Sequence, residues 1–112
     1  MIHFAVTDHA FERAKERAGW SRSALCRMLE RVFYDGVAAS TPCGKIRKFL
    51  RHYQEEWPGR FARAYGEHVF LFARGGAYDE SVLVTVIPLP HELRAAARDA
   101  RRSTWAYDAG VN

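Results

Sequence analysis

Residues 81–87 read Ser-Val-Leu-Val-Thr-Val-Ile, and this run decides the fold of the chain. Apolar side chains stand at nearly every position, whereas a strand with one wet face would alternate apolar and polar residues. We therefore expect a central strand that is covered on both of its sides. Pro88-Leu89-Pro90 ends the run, because proline cannot continue a central strand.

The segments on either side of this run complete a small sheet. Residues 60–65 and 68–73 are predicted to be two strands joined by Gly66-Glu67, a pair typical of a two-residue hairpin turn. Near the N-terminus, the apolar residues Ile2, Phe4 and Val6 recur with a period of two, which predicts a short strand over residues 2–6.

Three helices are predicted between the first strand and the hairpin, and a short basic helix after the last strand. Thr7 or Asp8 can cap the first helix and Ser21 the second. Residues 103–112 are predicted to be a weakly structured tail. The expected helices cover residues 9–18, 22–34, 44–56 and 91–102.

These elements predict a single α+β domain over residues 1–102, in the order β-α-α-α-β-β-β-α. A chain of 112 residues is too short to divide its apolar side chains between two domains. We expect an antiparallel sheet with the helices packed on one face.

Composition points to a protein of the cytoplasm. No run approaches the ~18 apolar residues of a membrane span, and the N-terminus lacks the pattern of a secretory signal. Cys26 and Cys43 are too few for a disulfide scaffold, so we expect two reduced thiols. The cysteines and the five histidines show no metal-ligand spacing, and no glycine-rich loop opens a helix. We therefore expect no metal and no cofactor.

The charge of the chain permits a nucleic-acid partner. Seventeen basic residues face thirteen acidic ones, and all the basic residues except Lys15, Lys45 and Lys48 are arginine. Arginine binds phosphate through a planar fork of donors, although a GC-rich genome also favours arginine. A net charge of +4 gives only a moderate field, so it does not by itself identify a function.

The first predicted helix carries candidate chemistry. His9 lies at its N-terminus, where the helix dipole favours anions, and Arg13 follows one turn later. A phosphate could lie against His9 and Arg13, with Arg17 holding a further phosphate, and imidazole is the usual acid–base group near neutral pH. The alternative is that His9 caps the helix and the arginines pair with neighbouring glutamates.

A second candidate is Thr85, a lone hydroxyl within the most apolar run of the chain. A hydroxyl placed there must find a partner, and it could orient a substrate or a side chain. The alternative is a strand-forming threonine that bonds only to the backbone.

A third candidate is the polar face of the third helix. Its basic side chains, extended into the next strand, could line a groove for a nucleic-acid backbone, with Tyr53, Tyr65 or Phe61 as stacking surfaces. The alternative is an ordinary solvated face. The three tryptophans lie at element ends and are interpreted as lids on the core. The proposed nucleic-acid-binding residues are Arg17, Lys45, Lys48, Arg51, His52 and Arg63.

Residues 7–17, Thr-Asp-His-Ala-Phe-Glu-Arg-Ala-Lys-Glu-Arg, resemble the T-x-H-A-x-x-R-x-x-E-R opening of small phage and prophage proteins. Those proteins are similar to the RelE-like branch of the barnase–EndoU–colicin–RelE ribonuclease superfamily. Residues 65–72 and 83–90 resemble the closing hairpin of the same group. The resemblance implies helices followed by an antiparallel sheet. For the toxin members it implies RNA cleavage without a metal, and the matched positions are His9, Arg13 and Thr85.

The leading prediction is accordingly a RelE-like RNA-cleaving or RNA-binding protein of bacterial or phage origin, acting in the bacterial cytoplasm. His9, Arg13 and Thr85 would be its catalytic residues. The alternative is a non-enzymatic phage accessory protein of the anti-defence type, which binds and inhibits a host protein or nucleoprotein complex. A simple basic module for nucleic acid is a third interpretation. Expected partners are RNA or another nucleic acid, a host protein or an antitoxin, and a second copy paired through an open strand edge; no membrane is expected.

Overall fold

Eight elements follow one another in the predicted order. A computed structural model describes residues 3–76 and 79–111, with the backbone alone for residues 102–111. The α+β class is confirmed, and each bound up to the end of the last strand lies within one residue of its predicted position. The elements are β1 (His3–Val6), α1 (Asp8–Ala18), α2 (Arg22–Asp35), α3 (Gly44–Glu56), β2 (Arg60–Tyr65), β3 (His68–Arg74), β4 (Glu80–Pro88) and α4 (His91–Val111).

Side-chain caps set where the first two helices begin. The Thr7 hydroxyl accepts a hydrogen bond from the Ala10 amide, and the Ser21 hydroxyl accepts one from the Ala24 amide. Each bond satisfies a backbone donor that has no partner within its helix. Gly19 ends α1 in the left-handed region, with φ of 70°. A residue without a Cβ adopts that conformation readily, which explains the sharp turn toward α2.

The sheet is mixed, with the strand order β1-β4-β3-β2. The hairpin-linked strands β2, β3 and β4 are antiparallel, as predicted, whereas β1 runs parallel to β4. The prediction of a wholly antiparallel sheet was therefore wrong for β1. No hairpin fixes the direction of β1, because three helices and two strands separate it from its partner. The central position predicted for β4 is confirmed.

Helices cover both faces of this sheet, not one face as predicted. Helices α1 and α2 pack on one face, and α3 and α4 pack on the other. Neighbouring residues of β3 divide between the two faces, which explains why residues 69–72 of that strand are all apolar. The α1–α2 core comprises Ala10, Ala14, Leu25, Leu29, Val32, Phe70, Phe72, Leu83 and Val86. The α3–α4 core includes Ile46, Leu50, Ala62, Ala64, Val69, Leu71, Leu89, Ala97 and Ala100.

An irregularity in β4 changes which of its side chains share a face. Phe72 lies opposite Leu83, but the preceding residue Leu71 lies opposite Thr85, so one extra residue of β4 is accommodated between them. This is the pattern of a β-bulge. It allows Leu83 and Val86, which are three positions apart, to enter the same core. Strict alternation would have placed them on opposite faces.

The outer edge of β2 is covered by other parts of the chain. The Val37 and Ala64 backbones exchange two hydrogen bonds of 2.8 and 2.9 Å, and the Gln54 side-chain oxygen accepts a bond from the Ala62 amide. Because these groups are occupied, they are not free to pair with a strand of another copy. The predicted dimer through an open strand edge gains no support on this side of the sheet.

The last helix continues beyond its expected end. Its backbone runs to Val111 through residues 103–111, where the sequence predicted a weakly structured tail; Asn112 lies outside the described residues. No proline occurs after His91, and the only glycine is Gly110, so the chain contains no strong signal that would stop a helix at Arg102. In the part of the chain that the structure describes, every helix is too short or too polar to cross a bilayer.

Candidate functional site

The three residues predicted to be catalytic do not share one cleft. Thr85 lies opposite Leu71 in the sheet register, and Leu71 belongs to the α3–α4 core. Helix α1, which carries His9 and Arg13, packs through its buried alanines on the other face. The sheet therefore separates Thr85 from α1. The β-bulge decides this placement, and the run of residues 81–87 contains no glycine that would have signalled it.

Two side chains of the opening motif bond to the backbone of β4. The Thr7 hydroxyl donates to the Val84 carbonyl at 3.1 Å in addition to capping α1. Arg17 Nη1 donates to the Val86 carbonyl at 2.9 Å. These carbonyls belong to the part of β4 that extends past its pairing with β1. Thr7 and Arg17 thereby fasten α1 to the sheet, which is a structural use of the motif.

Arg13 and His9, the other two residues of the motif with a predicted function, lie at the surface. Arg13 Nη1 donates to a Glu16 carboxylate oxygen at 2.7 Å, which confirms the alternative of a local ion pair for Arg13. His9 is exposed. A catalytic role for His9 and Arg13 stays a prediction of the sequence, without the Thr85 hydroxyl beside them.

The polar face of α3 is exposed, but it carries both signs of charge. Glu55 and Glu56 are exposed near its C-terminal end, and His52 Nε2 lies 3.4 Å from a Glu56 carboxylate oxygen. On a helix, residues four positions apart are neighbours, so Glu55 also lies beside Arg51. The acidic pair offsets much of the charge of Lys45, Lys48 and Arg51, and the sequence interpretation had not weighed it.

Arg63 is held inside the protein instead of presenting its donors to a ligand. Its Nε donates to the Phe33 carbonyl at 3.2 Å and its Nη1 to the Ala62 carbonyl at 3.0 Å. The guanidinium also lies over the rings of Phe33 and Phe61, 5.4 Å from each centroid. Burial lowers the pKa of Arg63. Its contacts therefore indicate a role in joining α2 to β2.

The tryptophans do not all act as lids on the core. Trp20 packs on Phe70 with the ring centroids 5.5 Å apart, as a core residue should. Trp57 is 47% exposed, and the Arg60 guanidinium lies 5.0 Å from the centroid of its indole ring. The core-lid prediction is wrong for Trp57, because this residue follows the last residue of α3 and nearly half of it is exposed. Trp105 lies outside the residues whose side chains are described.

The densest group of arginines surrounds a surface cavity between α4 and the β2–β3 turn. The cavity has a volume of about 300 Å³. Its lining combines three small residues, three arginines and one acid, and we call it the arginine cavity. The lining residues are Ala64, Gly66, Glu67, Arg94, Ala97, Arg98 and Arg101. Among the described residues of the lining, three arginines and one glutamate give a net charge of +2.

Helical spacing brings the three arginines together. Arg94, Arg98 and Arg101 are separated by four and then three residues, so they fall within about 60° of the helix circumference. The acidic residues Glu92 and Asp99 fall on the opposite flank of the same helix. Within residues 91–101, where the side chains of α4 are described, its positive flank therefore borders the cavity without acidic neighbours from its own helix.

Two of the three guanidinium groups are oriented by neighbours. Arg94 Nε donates to the Leu89 carbonyl at 3.3 Å, and its Nη1 lies 3.7 Å from a Glu67 carboxylate oxygen. The Arg101 guanidinium lies 4.4 Å from the centroid of the Tyr65 ring. Arg98 has no hydrogen-bond or ion-pair partner among the side chains that the structure describes. The cavity therefore holds one unpaired cation between two that are positioned.

Two polar residues lie at the same end of the sheet as the cavity but on the opposite face, since Ala64 and Ala97 of the cavity belong to the α3–α4 core. Tyr65 and His68 lie opposite each other across the two-residue turn, so their side chains share the α1–α2 face. His68 Nε2 lies 3.0 Å from the Arg17 carbonyl oxygen, a distance at which a protonated Nε2 donates a hydrogen bond. Arg17 is the predicted nucleic-acid-binding residue that belongs to α1, and its backbone carbonyl lies at this end of the sheet.

Sequence reasoning identified the last helix as basic but assigned it no role. The signal was present in the four-then-three spacing of Arg94, Arg98 and Arg101 around the buried Ala97. The sequence does not show that the β2–β3 turn forms the other side of the cavity, because this turn lies more than twenty residues earlier in the chain. Neither a scan against protein-family models nor a search of curated proteins gives a match for this chain.

Proposed function

We propose that this protein binds single-stranded RNA through the arginine cavity and the adjoining end of the sheet. The observation that carries the proposal is that three arginines and a single glutamate line one cavity among the described residues. Arginine recognises phosphate oxygens through paired, charge-assisted hydrogen bonds, and it does so better than the point charge of lysine.

Aromatic and basic groups beside the cavity support the same proposal. The Arg101 guanidinium lies 4.4 Å from the centroid of the Tyr65 ring, and Tyr65 belongs to the edge strand β2. Proteins that bind single strands combine a basic track for the backbone with aromatic rings for the bases. Residues 7–17 resemble the opening of small phage and prophage proteins that are similar to RelE-like ribonucleases, and this resemblance favours RNA over DNA as the polymer.

A matched pair of charge variants tests the location of binding. The first variant combines R94Q, R98Q and R101Q, and the control combines K45Q, K48Q and R51Q on α3, so each removes three positive charges. Fluorescence anisotropy with a labelled single-stranded RNA gives the affinity over a salt series. We expect the α4 variant to lose about tenfold or more in affinity and to lower the salt slope by about 2, since each phosphate contact contributes about 0.7. The α3 variant should change little.

Two outcomes would contradict the proposal. Equal losses in the two variants would mean that RNA responds only to total charge. Absence of RNA binding at low salt, together with a stoichiometric, salt-resistant complex with a host protein, would support the inhibitory accessory protein instead. Melting curves of both variants control for folding, because Arg94 also bonds to the Leu89 carbonyl.

Cleavage of the bound RNA is a second candidate, and it is favoured by the position of His68. This imidazole lies at the same end of the sheet as Tyr65 and Arg17, on the α1–α2 face, so RNA held in the arginine cavity on the other face must pass around the end of the sheet to reach it. A denaturing gel of RNA incubated with protein and a chelator reads out cleavage. We expect His68→Ala to abolish any cleavage and His9→Ala to preserve it; the reverse result would favour the site predicted from the sequence.

A further inference from the structure

The geometry of the arginine cavity points to a more specific ligand, a phosphate monoester such as the terminal phosphate of an RNA chain or of a nucleotide. For an RNA end, this inference rests on the proposed function. It concerns which chemical group enters the cavity, whereas the proposed function concerns the polymer that the surface binds.

Charge matching favours a monoester over a phosphate within the chain. An internal phosphodiester carries one negative charge, whereas a phosphate monoester carries about −1.5 to −2 near neutral pH. The cavity lining carries a net charge of +2, from Arg94, Arg98 and Arg101 against Glu67. A dianion would neutralise this lining, while a diester would leave about one positive charge without a partner.

The number of donors also matches a terminal phosphate. A monoester presents three oxygen atoms that accept strong hydrogen bonds, and three guanidinium groups border the cavity. Arg94 and Arg101 are already oriented by the Leu89 carbonyl and the Tyr65 ring, so less side-chain entropy is lost when they bind. Arg98, unpaired among the described side chains, is available to complete the set.

The size of the cavity favours the end of a chain. A volume of about 300 Å³ lies at the lower limit of small-molecule sites, which span about 300–1,000 Å³. Among the described residues of its lining, the small ones are Ala64, Gly66 and Ala97, and the arginines and Glu67 provide the polar side chains. A continuous strand must both enter and leave a site, whereas a terminal phosphate needs only one opening.

The test compares RNAs of one sequence that differ only at their ends. The set contains a 5′-phosphate form, a 3′-phosphate form and a form with hydroxyl groups at both ends. We expect one phosphorylated form to bind about tenfold more tightly than the hydroxyl form, and the set identifies which end is recognised. Adenosine 5′-monophosphate and adenosine, measured by calorimetry, test the free nucleotide as a source of the same group.

Single variants assign the preference to the cavity. Arg98→Gln should remove the preference for a phosphorylated end without unfolding the protein, because its side chain has no described partner to lose. Glu67→Gln should increase the preference, since it removes the only carboxylate of the lining. Lys48→Gln on α3 is the control and should leave the preference unchanged.

The outcomes separate this inference from the proposed function. Equal affinity for all three RNAs would overturn the inference while leaving RNA binding intact. Loss of RNA binding altogether, with adenosine 5′-monophosphate still binding in an Arg98-dependent manner, would overturn the proposed function and support the inference. A preference that survives Arg98→Gln and Glu67→Gln unchanged would place the recognised phosphate elsewhere and would also overturn it.

Discussion

Replacing Thr7 by alanine should destabilise the protein by about twice as much as the corresponding change at Ser21. Both hydroxyls cap a helix, and loss of such a cap costs about 1 kcal/mol. The Thr7 hydroxyl also donates to the Val84 carbonyl, which its removal would leave without this donor. That second bond adds about 1 kcal/mol. We therefore expect about 2 kcal/mol for Thr7→Ala and about 1 kcal/mol for Ser21→Ala.

Urea unfolding followed by circular dichroism measures both free energies of unfolding, with an unchanged m-value as the sign that the unfolded state is unaffected. Thr7→Ser is the matched control, because it keeps the hydroxyl and should cost less than about 0.5 kcal/mol. The reasoning fails if Thr7→Ala costs no more than Ser21→Ala, since the bond to β4 would then contribute nothing. It also fails if Thr7→Ser is as damaging as Thr7→Ala.

Three further stability predictions concern packing, and denaturant melts check each of them. Gly36→Ala should destabilise by about 1–3 kcal/mol because its new Cβ would collide with the Val32 carbonyl oxygen, whereas Gly44→Ala should be neutral or stabilise by up to about 1 kcal/mol; equal effects would contradict this contrast. Ala14→Leu should cost about 1–3 kcal/mol, because Ala14 is fully buried against the sheet. Arg63→Met keeps the aromatic packing but loses two hydrogen bonds to carbonyls, so we expect the free energy of unfolding to fall by about 1–2 kcal/mol. An unchanged free energy would mean that those bonds do not stabilise the protein.

Local patterns were sufficient to predict the elements and their order. Helix α3 begins and ends at the predicted residues, because its apolar stripe and the Pro58-Gly59 stop are both encoded within a short window. The caps at Thr7 and Ser21 and the hairpin at Gly66 are local in the same sense. Such features depend on neighbouring residues alone, so the sequence reveals them.

Features that depend on distant partners were not predictable in the same way. The direction of β1 depends on a strand that lies more than seventy residues later, and the face of Thr85 depends on a bulge that no glycine marks. The same dependence on distant partners explains why the predicted catalytic residues lie apart and why the arginine cavity was not predicted. His9 and Thr85 each have suitable chemistry, but the fold places them on opposite faces of the sheet. Arg98 belongs to a cavity only because the β2–β3 turn faces α4 in the folded protein.

The covered edge of β2 affects how the protein should behave at high concentration. A bare strand border is a template onto which an unfolded polypeptide can add, and this is how many fibrous deposits grow. Here the Val37 backbone and the Gln54 amide oxygen occupy the pairing groups of Ala62 and Ala64. For a fibre to grow from this edge, the segment that contains Val37 would first have to detach from β2. Concentrated solutions should therefore resist fibre formation by this route until partial melting begins.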